Sequence, residues 1–316
     1  MLVALVAMVG LVIDGGGAFA QRRAEQNAAD LAALAGANAW LVDTNNATRI
    51  GSAITAARAV AKQNGYEDGV GGQTVTVTPA VYGAGQSVQV GINAPHRNYF
   101  ASILPGQASW DVATTATAAV GIAGGAQGAA PVMFSALAFQ DGLPGGSPLG
   151  PYDDPAHPFS FEGPKSNDSH PPDAAGTAWT VFGDNVNSAQ VKDFIASIIA
   201  GLVPETGQFP FGTFIGLDIS QYNNGYHTTL FSNNNCSNPP VDLNCAFAGH
   251  DLAVPIVDGA GMFQGWALFH LVSADGGSSK SIVGYFKSGF SDQFDICMDP
   301  IKCPNSYGAY GLKLIN

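Results

Sequence analysis

Charge is what this sequence has least of. Asp, Glu, Lys and Arg make up only 11% of its 316 residues, about half the usual share. Lys and Arg together number 12, and no Arg follows Arg97. So thin a basic complement cannot neutralise many phosphates, which argues against nucleic acid and anionic lipid as partners of the chain as a whole. The net charge of −12 rests on 20 Asp and only 4 Glu. It is read as an aid to solubility, with calcium binding as the weaker option. The candidates for calcium are Asp153 and Asp154, with Asn167, Asp168 and Asp173 nearby, but their spacing is not that of an EF-hand loop.

Several chemistries lack their residues. The six His are scattered, and no two stand at metal-ligand spacing on one predicted helix. There is no G-x-S-x-G elbow. Gly276–Ser281 lacks the Gly-Lys step and the following helix of a phosphate loop, so it reads as a hairpin turn. Paired carboxylates could still meet in space, but nothing in the sequence points to them. No catalytic residue, cofactor or metal is therefore assigned, and the chain is read as non-enzymatic.

Cysteine is scarce as well. Cys236 and Cys245 have eight residues between them, and Cys297 and Cys303 have five. Structural zinc sites use shorter gaps, so disulfides are the better reading, and they place the C-terminal region outside the cytoplasm. Four cysteines allow three pairings, of which two local loops are favoured.

A longer absence opens the chain: nothing polar occurs from Met1 to Ile13. Thirteen apolar residues fall short of the roughly 20 a membrane-spanning helix needs. Either the segment continues to Ala20 with Asp14 buried, or apolar residues precede it. The second is favoured, because mid-bilayer Asp costs about 2.5–3.5 kcal/mol on insertion scales. Ala18-Phe19-Ala20 also has the form of a signal-peptidase site, although no basic region precedes the apolar run and helical patterning continues past it. Arg22 and Arg23 bias the following region toward the cytoplasm by charge counting, against the cysteines, which are the stronger signal.

Beyond the arginines, Ala24, Ala28, Leu31, Leu34, Ala35, Leu41 and Val42 recur at helical spacing. A helix over 1–42 would be about 60 Å long, with Gly15–Gly17 as a flexible joint. A second helix is expected over 47–63. Strands are expected at Thr74–Thr78, Ser87–Ile92, Asp111–Ile122, Thr177–Gly183, Asp251–Asp258, Phe263–Ala274 and Ser279–Phe290, and one more helix over Ser188–Leu202. The 40 Gly and 19 Pro supply the turns.

The run LVALVAMVGLVIDGGGAFAQRRAEQNAADLAALAGA resembles the opening of Tad pilus-assembly proteins of the TadE/TadG-like kind. The matching residues are Asp14, Gly16, Phe19, Arg22, Arg23, Gln26, Asn27, Ala28, Ala29, Asp30 and Ala32 to Ala37. Ala253–Asp258, Gly265–Leu271 and Val283–Phe286 add a weaker likeness in the tail. The resemblance implies a bitopic or pilin-like protein of the cell envelope, with its N-terminal helix in the inner membrane or a filament core and its C-terminal region extracytoplasmic. It also implies residues upstream of Met1.

The expected fold is α+β: a long N-terminal apolar and amphipathic stem carrying a β-rich, mostly antiparallel head. The expected divisions are a helix over 1–43, a small α+β region over 44–122, a linker over 123–131, and a β-rich domain over 132–316 with a long loop at 141–172. The assembly helix would act through Leu2, Leu5, Val9, Leu11, Val12, Ile13, Asp14, Phe19, Ala28, Leu31, Leu34 and Ala35. Its partners would be copies of the chain or other pilus subunits, with membrane lipid before assembly. The alternative is an anchored or secreted adhesin whose 141–172 loop and aromatic tail contact a surface.

Overall fold

The computed structural model describes residues 2–43, 45–139, 155–163, 176–180, 182, 205–208, 244, 247–275, 280–291, 293–299 and 301–315; for 2–7, 179 and 205–208 it gives the backbone alone. The chain divides into two compact units, Met1–Gly121 with Leu312–Asn316, and Ile122–Gly311.

The first unit begins with α1 (Leu2–Val42) and α2 (Arg49–Gln63). Asp43 ties the hairpin between them, accepting from Ser52 Oγ (2.5 Å), Thr48 Oγ1 (2.9 Å) and the Asn45 N–H (2.9 Å). These donors, Ser52 first, hold its carboxyl below the usual range. Arg49 lies over the Trp40 ring at 4.0 Å. The strands β1 (Thr74–Tyr82), β2 (Gly85–Arg97) and β3 (Ser109–Gln127) follow as an antiparallel meander. Val88, Val90, Ile92 and Ala94 alternate inward along β2, as the two-residue period requires. They meet a helical face made almost wholly of alanine: Ala28, Ala29, Ala32, Ala33 and Ala37 from α1, and Ala53, Ala57 and Ala61 from α2.

The Gly15–Gly17 joint does not form: α1 runs through the three glycines without a break. Each glycine lowers helix stability by about 1 kcal/mol against Ala, but contacts on both sides of this stretch, from Asp14 to the β2–β3 connection and from Gln21 to β2, hold the helix in place. The apolar run also stops too soon. Among the described residues no helix is long and apolar enough to cross a membrane, because Asp14, Gln21, Arg22 and Arg23 follow the apolar segment within three turns.

The second unit is built on strands β4 (Val132–Ser135), β5 (Phe159–Glu162), β6 (Thr177–Trp179), β7 (Glu205–Gln208), β8 (Asp251–Val257), β9 (Phe263–Asp275), β10 (Ser281–Lys287), β11 (Gly289–Phe290), β12 (Phe294–Ile296), β13 (Asn305–Tyr307) and the first residues of β14 (Ala309–Ile315), whose remainder from Leu312 belongs to the first unit. Its main sheet has the order β5-β10-β9-β8-β4-β6, with β13 beside β9. Pairing is mostly antiparallel, but β4 with β8, β13 with β9 and β11 with β14 run parallel, so the sheets are mixed. Both faces of the β8–β9 ribbon are covered. Val254, Ile256, Phe269 and Leu271 join one apolar cluster, and Ala253, Val257, Trp266 and Leu268 another. Burial on both faces explains why these strands read as unbroken apolar runs.

Within the stretch read as a loop over 141–172, Phe159–Glu162 is a strand paired with β10. Its Phe161 is fully buried against Phe134, Phe269 and Phe286, a long-range contact that local Pro and Gly composition does not announce. The helix expected over Ser188–Leu202 lies outside the described residues.

Candidate functional site

The α1 helix presents two different surfaces. Gly10, Asp14, Gly17, Gln21, Glu25, Ala28, Ala32 and Gly36 recur every three or four residues along its docked side, and a β-carbon on Gly17 would stand 2.9 Å from His96 Cε1. At its centre the Asp14 carboxylate, only 1% exposed, accepts three backbone N–H groups from the β2–β3 connection: Tyr99 at 2.8 Å, Phe100 at 3.0 Å and Ala101 at 2.6 Å. Burial pushes its pKa up, but the three amides and nearby His96 outweigh this and hold it below the ordinary carboxylate range. One turn earlier, a β-carbon on Gly10 would stand 2.7 Å from Phe100 Cβ. Glycine is what lets the loop lie against the helix there.

Further along, Gln21 donates to Glu25 Oε1 (2.8 Å) and the Ala94 carbonyl (3.2 Å), and its own Oε1 accepts from His96 Nδ1 (2.8 Å). Gln26 donates to Asp30 Oδ1 (2.9 Å) and the Thr115 carbonyl (3.2 Å). Glu25 is fully buried, its Oε2 has no hydrogen-bond partner among the described residues, and burial pushes its pKa up against the Gln21 bond. At the far end, a β-carbon on Gly36 would stand 2.9 Å from Val88 Cγ1, 3.1 Å from the Ala53 carbonyl oxygen and 3.2 Å from Ala57 Cβ.

The remaining sides carry exposed apolar residues. Met8 is 71% exposed, Leu11 67%, Val12 73% and Phe19 65%, and Val9, Ile13 and Leu31 are exposed too. The twelve assembly-helix residues therefore fall into separate groups. Asp14 and Ala28 are buried within the unit, Leu34 packs at the edge of its core, and Ala35 is half-buried. Val9, Leu11, Val12, Ile13, Phe19 and Leu31 face outward, while of Leu2 and Leu5 only the helical backbone is described.

Residues 1–39 match the TadE/G-like Flp pilus-assembly family. The match covers α1 alone and supports a pilus-related role and a cell-envelope location. No curated protein and no solved structure matches the chain. The motif residues Asp14, Gln26, Ala28, Ala29, Ala32, Ala33 and Ala37 thus acquire a local explanation in this chain: they fasten the helix to the β2–β3 connection, to its own sheet and to α2, while Asp30 accepts from Gln26 within the helix.

Cys297 and Cys303 form a disulfide, while Cys236 and Cys245, like Asp153 and Asp154, lie outside the described residues. Sequence reading missed Gly10, Gly17, Gln21, Glu25 and the receiving segment Tyr99–Ala101. The only available signal was the three-or-four-residue spacing of small and polar residues through an apolar run. Of the tail aromatics, Phe263, Trp266, Phe269 and Phe286 are buried in the second unit, and Phe290 is exposed.

Proposed function

We propose that the chain is a non-enzymatic structural or assembly component of a Tad-type pilus or related surface filament, working through the outward side of α1. The single observation that carries this is the division of the family-matching segment. One side is satisfied within the protein, and the other leaves Met8, Leu11, Val12 and Phe19 largely exposed. Exposed apolar clusters of this kind are costly unless a partner or lipid covers them. Other pilus subunits or further copies of the chain would cover the helix after assembly, and membrane lipid before it. The C-terminal region would lie outside the cytoplasm, as the Cys297–Cys303 disulfide suggests.

The test is made in cells bearing the pilus. Val12→Asp combined with Phe19→Asp should abolish surface fibres while the protein still accumulates. Normal fibres with the doubly substituted protein at wild-type level would reject this reading.

A further inference from the structure

The tip of α1 is shared with a second element. The β2–β3 connection turns through the single helical turn Ala101–Ile103 and leaves Tyr99 68%, Ile103 82% and Leu104 60% exposed. Asp14 fastens this loop to α1, and Gly10 lets Phe100 lie against the helix. Helix end and loop therefore form one apolar surface with Met8, Leu11 and Val12. Among the described residues the only charged side chain within it, Asp14, is turned inward onto three amides.

The pattern around this surface says what covers it. A helix that meets one protein partner needs a single apolar stripe. Here Met8, Val9, Leu11, Val12 and Ile13 are exposed on every side not taken by the loop, which suits a medium without direction. Behind the tip stand Arg22, Arg23 and Arg97, three of the chain's five Arg, all exposed. Arg97 lies 5.9 Å from the Tyr99 ring, and half-buried Trp110 pairs opposite His96 on the next strand. Arg97 stands between Tyr99 and Trp110, with exposed Asp111 one pair further from the loop. An apolar tip backed by aromatic and cationic side chains at one level is the mixture found at the headgroup level of a bilayer. The scarcity of basic residues over the whole chain makes their concentration here more telling.

We infer that the β2–β3 loop is a second membrane-contacting element, which enters the headgroup–acyl boundary of a phospholipid bilayer beside the end of α1 and is held at that position by Asp14. This rests on the reading of α1 as an envelope-facing stem and adds to it the loop, its depth and its fastening.

The experiment uses the full chain carrying Ile103→Cys labelled with an environment-sensitive fluorophore, with labelled wild type as the blank. It is mixed with phosphatidylcholine vesicles with and without phosphatidylglycerol. The emission should shift to the blue and be quenched by lipids bearing nitroxide high on the acyl chain, more strongly with phosphatidylglycerol. Ile103→Asp with Leu104→Asp should lower vesicle partitioning by at least about tenfold and leave Tm unchanged, since both side chains are exposed. Vesicle binding with the label still in water overturns the loop's role and leaves the stem reading intact. So does full binding by the loop double variant when Val12→Asp abolishes it. Shielding of the label by self-association in lipid-free solution assigns the tip to a second copy and overturns the inference. Absence of vesicle binding by the wild type overturns it too, while fibre formation in cells still judges the stem reading separately.

Discussion

Between Glu25 and Ala37 the docked side of α1 carries almost nothing larger than alanine, whereas between Met8 and Phe19 its open sides carry Met, Leu, Val, Ile and Phe. The same helix thus uses small residues where it meets its own protein and large apolar ones where it meets none. Small side chains let α1 approach α2 and β2 closely, and close packing over many atoms replaces the bulk missing from each residue. Large exposed ones bring no stability to the isolated unit, so their presence has to be explained by something outside it. The second unit shows the ordinary alternative: its core is filled by Phe134, Phe161, Phe269 and Phe286 in edge-on and tilted ring contacts.

Gly36→Leu is the strongest way to break the docked half. Its side chain would enter the point where α1, α2 and β2 converge, and backbone as well as side-chain atoms would have to move. Overpacking of this kind costs about 1–3 kcal/mol, to be read as a drop in the urea midpoint. Asp14→Ala comes next and acts more locally. It leaves the N–H groups of Tyr99, Phe100 and Ala101 without their acceptor, so amide exchange there should accelerate strongly while Tm falls less than for Gly36→Leu. Because the carboxyl pKa is depressed in the folded protein, its contribution is present above the unfolded value of about 3.9. It is lost as the pH falls through the lower folded value. Protection of the three amides should therefore persist at mildly acidic pH and fail only in stronger acid.

These contrasts mark what could be read from the chain alone. The helix at Arg49–Gln63 and the strands at Thr74–Tyr82, Gly85–Arg97, Asp251–Val257 and Phe263–Asp275 announce themselves through periodicity or β-branched runs. Asp14 was legible as an anomaly but not as a fastening, because its partners lie at Tyr99–Ala101 and no local pattern links the two segments. Gly15–Gly17 misled for the same reason: intrinsic propensity predicts a joint, and tertiary contacts on both sides override it. Phe159–Glu162 was hidden by its Pro- and Gly-rich neighbours, since a short edge strand is defined by its pairing with β10 rather than by its own residues.

Glu25→Gln sharpens the comparison with the opposite sign. A buried carboxyl whose pKa is raised contributes most favourably below its unfolded value, and that contribution is lost as the pH rises through the folded value. Replacing it with a neutral amide removes the desolvation of the charge. The variant should match wild type in Tm near pH 4 and exceed it modestly at pH 7 and above. A variant less stable than wild type at pH 8 would mean that the Gln21 bond to the charged form outweighs burial.

The smallest effect on stability belongs to the open half. Val12 is 73% exposed, so Val12→Asp should change the unfolding free energy by no more than about 0.5 kcal/mol. Indifference is the point of the measurement. If the isolated protein loses more than that, Val12 has a contact within the chain and its outward position has been misjudged. If stability is unchanged while fibres or vesicle binding disappear, the side chain's contribution lies wholly in what covers it. The two halves of α1 then differ in kind, one holding the fold together and the other addressing the surroundings, and Asp14 stands at the junction where the helix passes from one to the other.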